Sequence, residues 1–523
     1  MQVGKVPGNC LFFIRGFKMI KGRAFDNEKY LERQTKAIFK RVKEHNNKLY
    51  IEFGGKLVHD SHAARVLPGY DPSVKMRLLQ EFRDNLEVII CVYSGDIEKR
   101  KIRADVGITY DAEVLKLIDQ LTQRHIKIAG VVITRFEGQP TSVQFRNRLR
   151  RRGIKVYTHK ATIGYPTDID AIVSSKGYGA NPDIETERPI VVVTGPGPGS
   201  GKLATCLSQL YHDYKKSIRS GYAKFETFPV WNLPLKHPLN VAYEAATADL
   251  GDVNLIDHFH LEAYNEKTVN YNRDIEAFPL LKRILERITS TSSFYKSPTD
   301  MGVNSVAFGI IDDELVRKAS RQEIIRRYFS YSCEYALGTG EKQVVEKIEL
   351  LMDELGIKIE ERAVVQAARE AVKMAEKKGK GVDGIYSGAA LELPDGRIVT
   401  GKNFPLLHSS SSLILNAAKE LAGIPDGIDL LPNTVIQSLE YVKKDILQET
   451  RVGLDLEETL ISLSISSAGN PAAAAAVEKI KELRGCEVHL SHMPTPGDEA
   501  GLRKVGVNVT CDPLYPTNSL YEC

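Results

Sequence analysis

The residue best placed to do chemistry in this chain is a lysine that closes a glycine-rich turn. Lys202 stands near the end of Pro189–Cys206, PIVVVTGPGPGSGKLATC. A buried strand that aims a turn, backbone N–H groups facing inward and a helix N-terminus together cradle phosphate. The lysine of such a loop reaches the terminal phosphates. Two departures matter. The pattern G-x-x-x-x-G-K asks for glycine where Pro196 stands, and Leu203 replaces the Ser or Thr that normally holds Mg²⁺. Pro196 and Pro198 also lack N–H donors. The stretch reads in two ways: a phosphate-binding loop contacting its ligand through Gly195, Gly197, Gly199, Ser200, Gly201, Lys202 and Thr205, or a structural turn. Thr205 or Ser200 would replace the lost magnesium ligand only with altered geometry. Asp257, closing the apolar run VNLID, reads as a carboxylate holding Mg²⁺ through water or equally as a helix N-cap. Asp300, in YKSPTDMGVN, is the other candidate for placing the ion.

A second polar stretch follows the strand-like KLYIEF. FGGKLVHDSHAARVLPGYD carries Gly54, Gly55, Lys56, His59, Asp60, His62 and Arg65, and loops at strand C-terminal ends are where open α/β sheets put ligands. Lys56 and Arg65 would hold an acidic group and His59 or His62 would move a proton; the competing reading is a polar loop that caps its neighbours. No fourth ligand accompanies His59, Asp60 and His62, so no metal site is assigned. Downstream of the glycine loop, KFETFPVWNLPLKHP and IDHFHLEAYNEKTVNYNRD add Lys224, Lys236, His258, His260, Asn272 and Arg273 as ligand-binding candidates. The basic run at 96–111 brings Lys99, Arg100, Lys101 and Arg103 close to Asp105, while the run at 146–153 lacks interleaved aromatics and reads as a solvated helix end. Neither G-x-S-x-G nor H-E-x-x-H occurs.

These residues need elements to hold them. Helical periodicity at 27–45, 73–84, 112–125 and 141–151 alternates with KLYIEF, LEVIICVY, IAGVVITRF, IKVYTH, IDAIVS and PIVVVT. Strands apolar on both faces, separated by amphipathic helices, predict a three-layer α/β fold on a mostly parallel sheet. A helix is expected over 202–218, a strand over VNLIDHFH and a helix over 273–288. The resulting division is an N-terminal extension at 1–18, α/β structure over 19–312, a helical segment at 313–381 and a C-terminal α/β region at 382–523.

Composition narrows the function classes. A net charge of +4, from 71 Lys and Arg against 67 Asp and Glu, argues against a dedicated nucleic-acid binder. Seven scattered cysteines, never spaced C-x-x-C, fit a reducing compartment better than a disulfide framework. No apolar run is long enough to span a membrane, so a cytoplasmic location is expected.

The blocks YIEFGGKLVHDSHAARVLPGY, VVVTGPGPGSGK, YAKFETFPVWNLPLKHP, HLEAYNEKTVNYNRD, SPTDMGVN and LRGCEVH together resemble uncharacterised protein family 0371 (domain of unknown function 1846). The resemblance covers nearly all of 19–523 and implies a bacterial protein, with no activity attached. GAALELPDGRIVTGKN, at 388–403, is similar to the opening hairpin of cytidine-deaminase-like domains, with a helix at 411–422, a strand LISLSIS and a helix from 471 following in that order. Such domains hold zinc with H/C-x-E and P-C-x-x-C. Here LLHSSSS and SSAGNPAA stand in those places and His408 is the one possible ligand, so no zinc is expected. The expected ligand is a nucleotide or another phosphorylated small molecule, with ATP and Mg²⁺ as cofactor and phosphoryl transfer or ATP-dependent ligation as the reaction. A ligand-sensing scaffold with degenerate modules is the alternative. The long amphipathic helices are compatible with a homo-oligomer.

Overall fold

Five of the six runs read as buried strands, all but IDAIVS, pair into one sheet. The computed structural model describes residues 22–46, 48–103, 107–379, 381–382, 384–449, 452–515 and 517; the expected extension at 1–18 and Asp105 lie outside them. The chain separates into two units, Gly22–Ser320 and one beginning at Arg321.

In the first unit the strands are β1 (Leu49–Phe53), β2 (Leu86–Tyr93), β3 (Lys127–Thr134), β4 (Val156–Thr158), β5 (Ile190–Thr194) and β6 (Gly221–Phe225). They lie in the order β4-β3-β2-β5-β1-β6, every pair parallel. β5 is buried at all five positions and β2 at all but Tyr93, as strands covered on both faces must be. One face carries α3 (Lys202–Lys215) and α4 (Asn272–Thr289): Cys206, Leu207 and Leu210 of the first and Phe278, Leu281 and Ile284 of the second pack with Tyr50, Ile89, Val193 and Tyr222. α2 (Tyr110–Gln123) packs against β2 and β3. α1 (Asn27–Glu44) is N-capped by Asp26, which accepts from the Glu28 and Lys29 N–H groups.

The chain order sets where a ligand can sit. From β1 it steps over one place to β2, runs outward through β3 and β4, then returns to place β5 between β1 and β2 and ends on the far side with β6. The direction of winding reverses at β5. In open parallel sheets that reversal leaves a crevice beyond the strand carboxyl ends, and the glycine loop leaves β5 there.

Three segments read as strands fold otherwise. IDAIVS contains a helix at Ile169–Ile172, because the Asp168 carboxylate accepts from Ala171 N at 2.9 Å and caps it. In VNLIDHFH only β7 (Asn254–Ile256) is extended, antiparallel to β8 (Val269–Tyr271); Asp257 then caps the helix His258–Tyr264. LISLSIS lies in the helix Leu456–Ser466, started by the reciprocal capping box of Asp455 and Glu458. In each, a side-chain cap decides the backbone over an ambiguous apolar pattern.

The second unit is built on β9 (Gly388–Glu392), β10 (Ile398–Lys402), β11 (Glu487–Leu490) and β12 (Asn508–Cys511), in the order β10-β9-β11-β12. β9 and β10 form the expected hairpin around Asp395-Gly396, β9 and β11 are antiparallel, and β11 and β12 are parallel. Its core includes Leu391, Leu413, Leu456, Leu483, Val488 and Leu502. Arg362, fully buried, donates to Thr510 Oγ1 and to the Val488 and Asn508 carbonyls at 3.0 Å and pairs with Glu487. It staples the helix Ala363–Lys377 to β11 and β12.

Candidate functional site

The loop between β5 and α3 is held from the side by the carboxyl end of β3. Gly199 and Gly201 are left-handed, at φ +73° and +88°, a conformation glycine adopts without a Cβ penalty. A Cβ on Gly201 would stand 2.7 Å from Thr134 Cγ2, so the turn also needs glycine for space. Thr134 Oγ1 donates to Ser200 O at 2.9 Å and Arg135 Nη2 to Gly199 O at 2.7 Å. Lys202 Nζ lies 3.4 Å from Gly197 O, folded over the loop.

Gly201 N-caps α3 with no side-chain acceptor, and the first N–H of this end to reach a backbone carbonyl is that of Thr205, on Gly201 O at 3.0 Å. The N–H groups ahead of it are thus available to an outside acceptor, at the positive end of the helix dipole. Ser200 Oγ is buried and, among the described residues, without a hydrogen-bond partner; it reaches across the loop to within 2.5 Å of where a Cβ on Gly195 would stand. Thr205 has turned away: its hydroxyl is buried and donates to Gly201 O at 2.9 Å.

Beside the loop lies a charge cluster built across the sheet. Val193, Glu52 and Lys224 are register partners on β5, β1 and β6. Lys224 Nζ stands 2.6 Å from both Asp274 oxygens and 3.1 Å from Glu226 Oε1. Tyr222 donates to Glu52 at 2.8 Å, and Arg273 reaches Asp252 at 3.3 Å. Burial works against the Lys224 ammonium, but Asp274, then Glu226 and Glu52, outweigh it and raise its pKa. Burial raises the Glu226 carboxyl, against the pull of Lys224. Burial also pushes the Cys206 thiol well up, with Glu52 adding and Lys202 opposing. Gly54 has to be small here, since its Cβ would meet Glu226 Cγ at 2.7 Å.

The sequence candidates sort by position. Gly54 and Gly55 leave β1 at the edge from which the glycine loop leaves β5. Lys56 and Arg65 are half-buried and His59 is exposed in that turn. Asp60 caps Ser61–Val66 and pairs with the buried Lys75 at 2.7 Å. Lys224 and Arg273 sit in the charge cluster, and Asn272 accepts from Val253 N at 2.9 Å. Lys236 and His258 are exposed. Asp257, Asp300 and His260 belong to another network: Asp257 accepts from His260 N, Thr299 N and Thr299 Oγ1 at 3.0, 3.1 and 2.6 Å, while Asp300 accepts from Tyr264 Oη and Lys296 N. Asp300, Arg41, Tyr264 and Phe294 line a cavity of about 420 Å³. Among the described residues, no hydrogen bond or ion pair joins Asp257 or Asp300 to the glycine loop. Glu52 and Arg135 went unread in the sequence, although a glutamate inside LYIEF is a charge in a buried strand and a signal in itself.

The second unit carries its own polar cluster. His408 Nδ1 lies 2.8 Å from Asp498, which also accepts from Ser410 Oγ, Thr495 Oγ1 and Leu456 N at 2.5, 2.9 and 3.0 Å. Burial opposes both charges, yet each partner holds the other ionised: His408 is raised and Asp498 lowered. Among the described residues, no group of three or more His, Cys, Asp or Glu is arranged to hold a metal ion, and no helix is long and apolar enough to cross a membrane.

Fold and edge together define a parallel α/β protein with a lysine-tipped glycine loop where its winding reverses. The chain belongs to the DUF1846 family, matching "Domain of unknown function DUF1846, N-terminal" over residues 23–356 and "Domain of unknown function DUF1846, C-terminal" over 360–521. It is 55% identical over 498 residues to a UPF0371 protein of Clostridium tetani (strain Massachusetts / E88), covering 95% of this chain and 99% of that one. A UPF0371 protein of Fusobacterium nucleatum subsp. nucleatum is likewise 55% identical, over 500 residues, with the same coverage. The family resemblance drawn from the sequence blocks therefore holds. The two matched spans meet between 356 and 360, whereas the compact units part between Ser320 and Arg321, inside the helix Asp313–Ala336.

Proposed function

We propose that the first unit binds a phosphorylated small molecule, a nucleotide foremost, on the loop 195–202. One observation carries the reading: the uncapped start of α3, with Lys202 beside it, stands at the carboxyl end of the strand where the winding reverses. The adjoining cluster of Glu52, Lys224, Glu226, Arg273 and Asp274 would contact the remainder of the ligand. Phosphoryl transfer and ATP-dependent ligation are the reactions that such placement of cations serves. The second unit we read as a deaminase-like scaffold without zinc chemistry, on the support of its opening hairpin and of His408, whose Nδ1 is engaged by Asp498.

A thermal-shift screen of the whole protein against nucleotides and sugar phosphates tests the reading. Stabilisation by at least one nucleotide, absent in a folded Lys202→Ala variant, is the expected result. A folded protein that responds to none of them would overturn it.

A further inference from the structure

The sequence pattern implies Mg²⁺ at the loop, and the residues present do not fit it. Leu203 occupies the position of the usual hydroxyl ligand. Thr205, the next hydroxyl along, is buried and spent on Gly201 O. Both carboxylate oxygens of Asp257 are taken by the helix cap and by Thr299. Something else must meet phosphate charge beside Lys202.

Arg135 is built for that position. It follows β3 directly and is the exposed residue at its carboxyl end. Its backbone is left-handed at φ +49°, strained for a side chain of this size and kept only where surroundings enforce it. They do: its carbonyl accepts from Ser94 Oγ at 2.7 Å and from Gln139 Nε2 at 3.2 Å. The guanidinium lies 3.4 Å from the centroid of the Tyr93 ring and donates to Gly199 O, so it is stacked, oriented and already at the loop. Such a fork suits phosphate oxygens better than an ammonium does. The Ser200 hydroxyl inside the same loop, buried and without a partner among the described residues, is a second, independent sign that a ligand atom belongs there, and titration in EDTA decides between a phosphate oxygen and a metal ion.

Resting on the phosphate reading, we infer that Arg135 is the second cation of this site, and that Lys202 and Arg135 together hold phosphate without a metal ion. Pro196 and Pro198 have cost the loop two N–H donors, and Arg135 supplies replacements from the carboxyl end of β3, two places along the sheet from β5.

The test is calorimetric titration of the full chain with ATP, and separately with AMP, in EDTA and then in excess MgCl₂. The wild type should bind ATP in EDTA with an affinity within about twofold of that in Mg²⁺. Arg135→Ala, folded by its melting temperature, should weaken ATP about 10- to 100-fold, the range for a hydrogen bond to a charged group. The loss should be smaller for AMP, since a cation tracks ligand charge whereas a loop brace does not. Arg135→Lys should recover part of it. Binding only in Mg²⁺, unchanged affinity in Arg135→Ala, or an equal loss for AMP and ATP would overturn the inference and leave the phosphate reading standing. No wild-type binding of ATP or AMP under either condition would overturn the adenine-nucleotide form of the phosphate reading, and this inference with it.

Discussion

Lys75 and Asp60 show how the turn after β1 is fixed. Two opposite charges, almost wholly removed from water, meet at 2.7 Å, and the same carboxylate caps the following helix. Burial opposes ionisation of Asp60, but Lys75 prevails and holds its pKa low. Lys75→Met leaves that carboxylate unpaired and should cost about 3–5 kcal/mol in chemical denaturation. Because the folded pKa lies below the unfolded one, the stability Asp60 provides is present above the ordinary carboxylate range and disappears as pH falls through its folded value. The His408–Asp498 pair has an upper limit as well: His408's share is complete below about 6.5, its unfolded pKa, and is lost as pH rises through its higher folded value. Histidine NMR titration should show the His408 pKa falling in Asp498→Asn, with the stability difference between the two proteins shrinking at alkaline pH; an unmoved His408 would contradict the pairing.

At the scale of elements, the strand–turn–helix around the glycine loop depends on Gly201. Gly201→Ala forces a Cβ into Thr134 and a side chain into φ +88°, costing about 1–3 kcal/mol; melting curves of the variant measure this. How far such an element is legible follows from where its information lies. PIVVVT and LEVIICVY announce buried strands by composition, and G-S-G-K announces the turn, because both signals are local. Glu52 acquires its meaning only from register: it faces Lys224 across β1 and β6, which no spacing in the sequence records. Arg135 is harder still, since the tail of IAGVVITRF gives no sign that its backbone turns left-handed or that it stacks on Tyr93. Asp257 is legible as a choice between metal carboxylate and helix cap; one of its oxygens caps the helix at His260 N and the other accepts from Thr299. The strand assigned to LISLSIS failed because alternation of Leu, Ile and Ser imitates period two, while Asp455 and Glu458 just ahead of it start a helix.

At the scale of the molecule, the two units have separate cores. Leu391, fully buried between β9 and its neighbours, belongs to the second alone. Leu391→Ala should destabilise that unit by about 2–5 kcal/mol while leaving ATP affinity at the first unit's loop unchanged in protein that is still folded. The central claim is that the loop 195–202 holds phosphate through Lys202. Its most direct test is calorimetric titration of ATP into the full-length wild type and into a Lys202→Ala variant of matched melting temperature. Saturable one-site binding by the wild type, weakened at least about tenfold in the variant, is the result this account predicts; no heat from the wild type, or equal affinity in both, would contradict it.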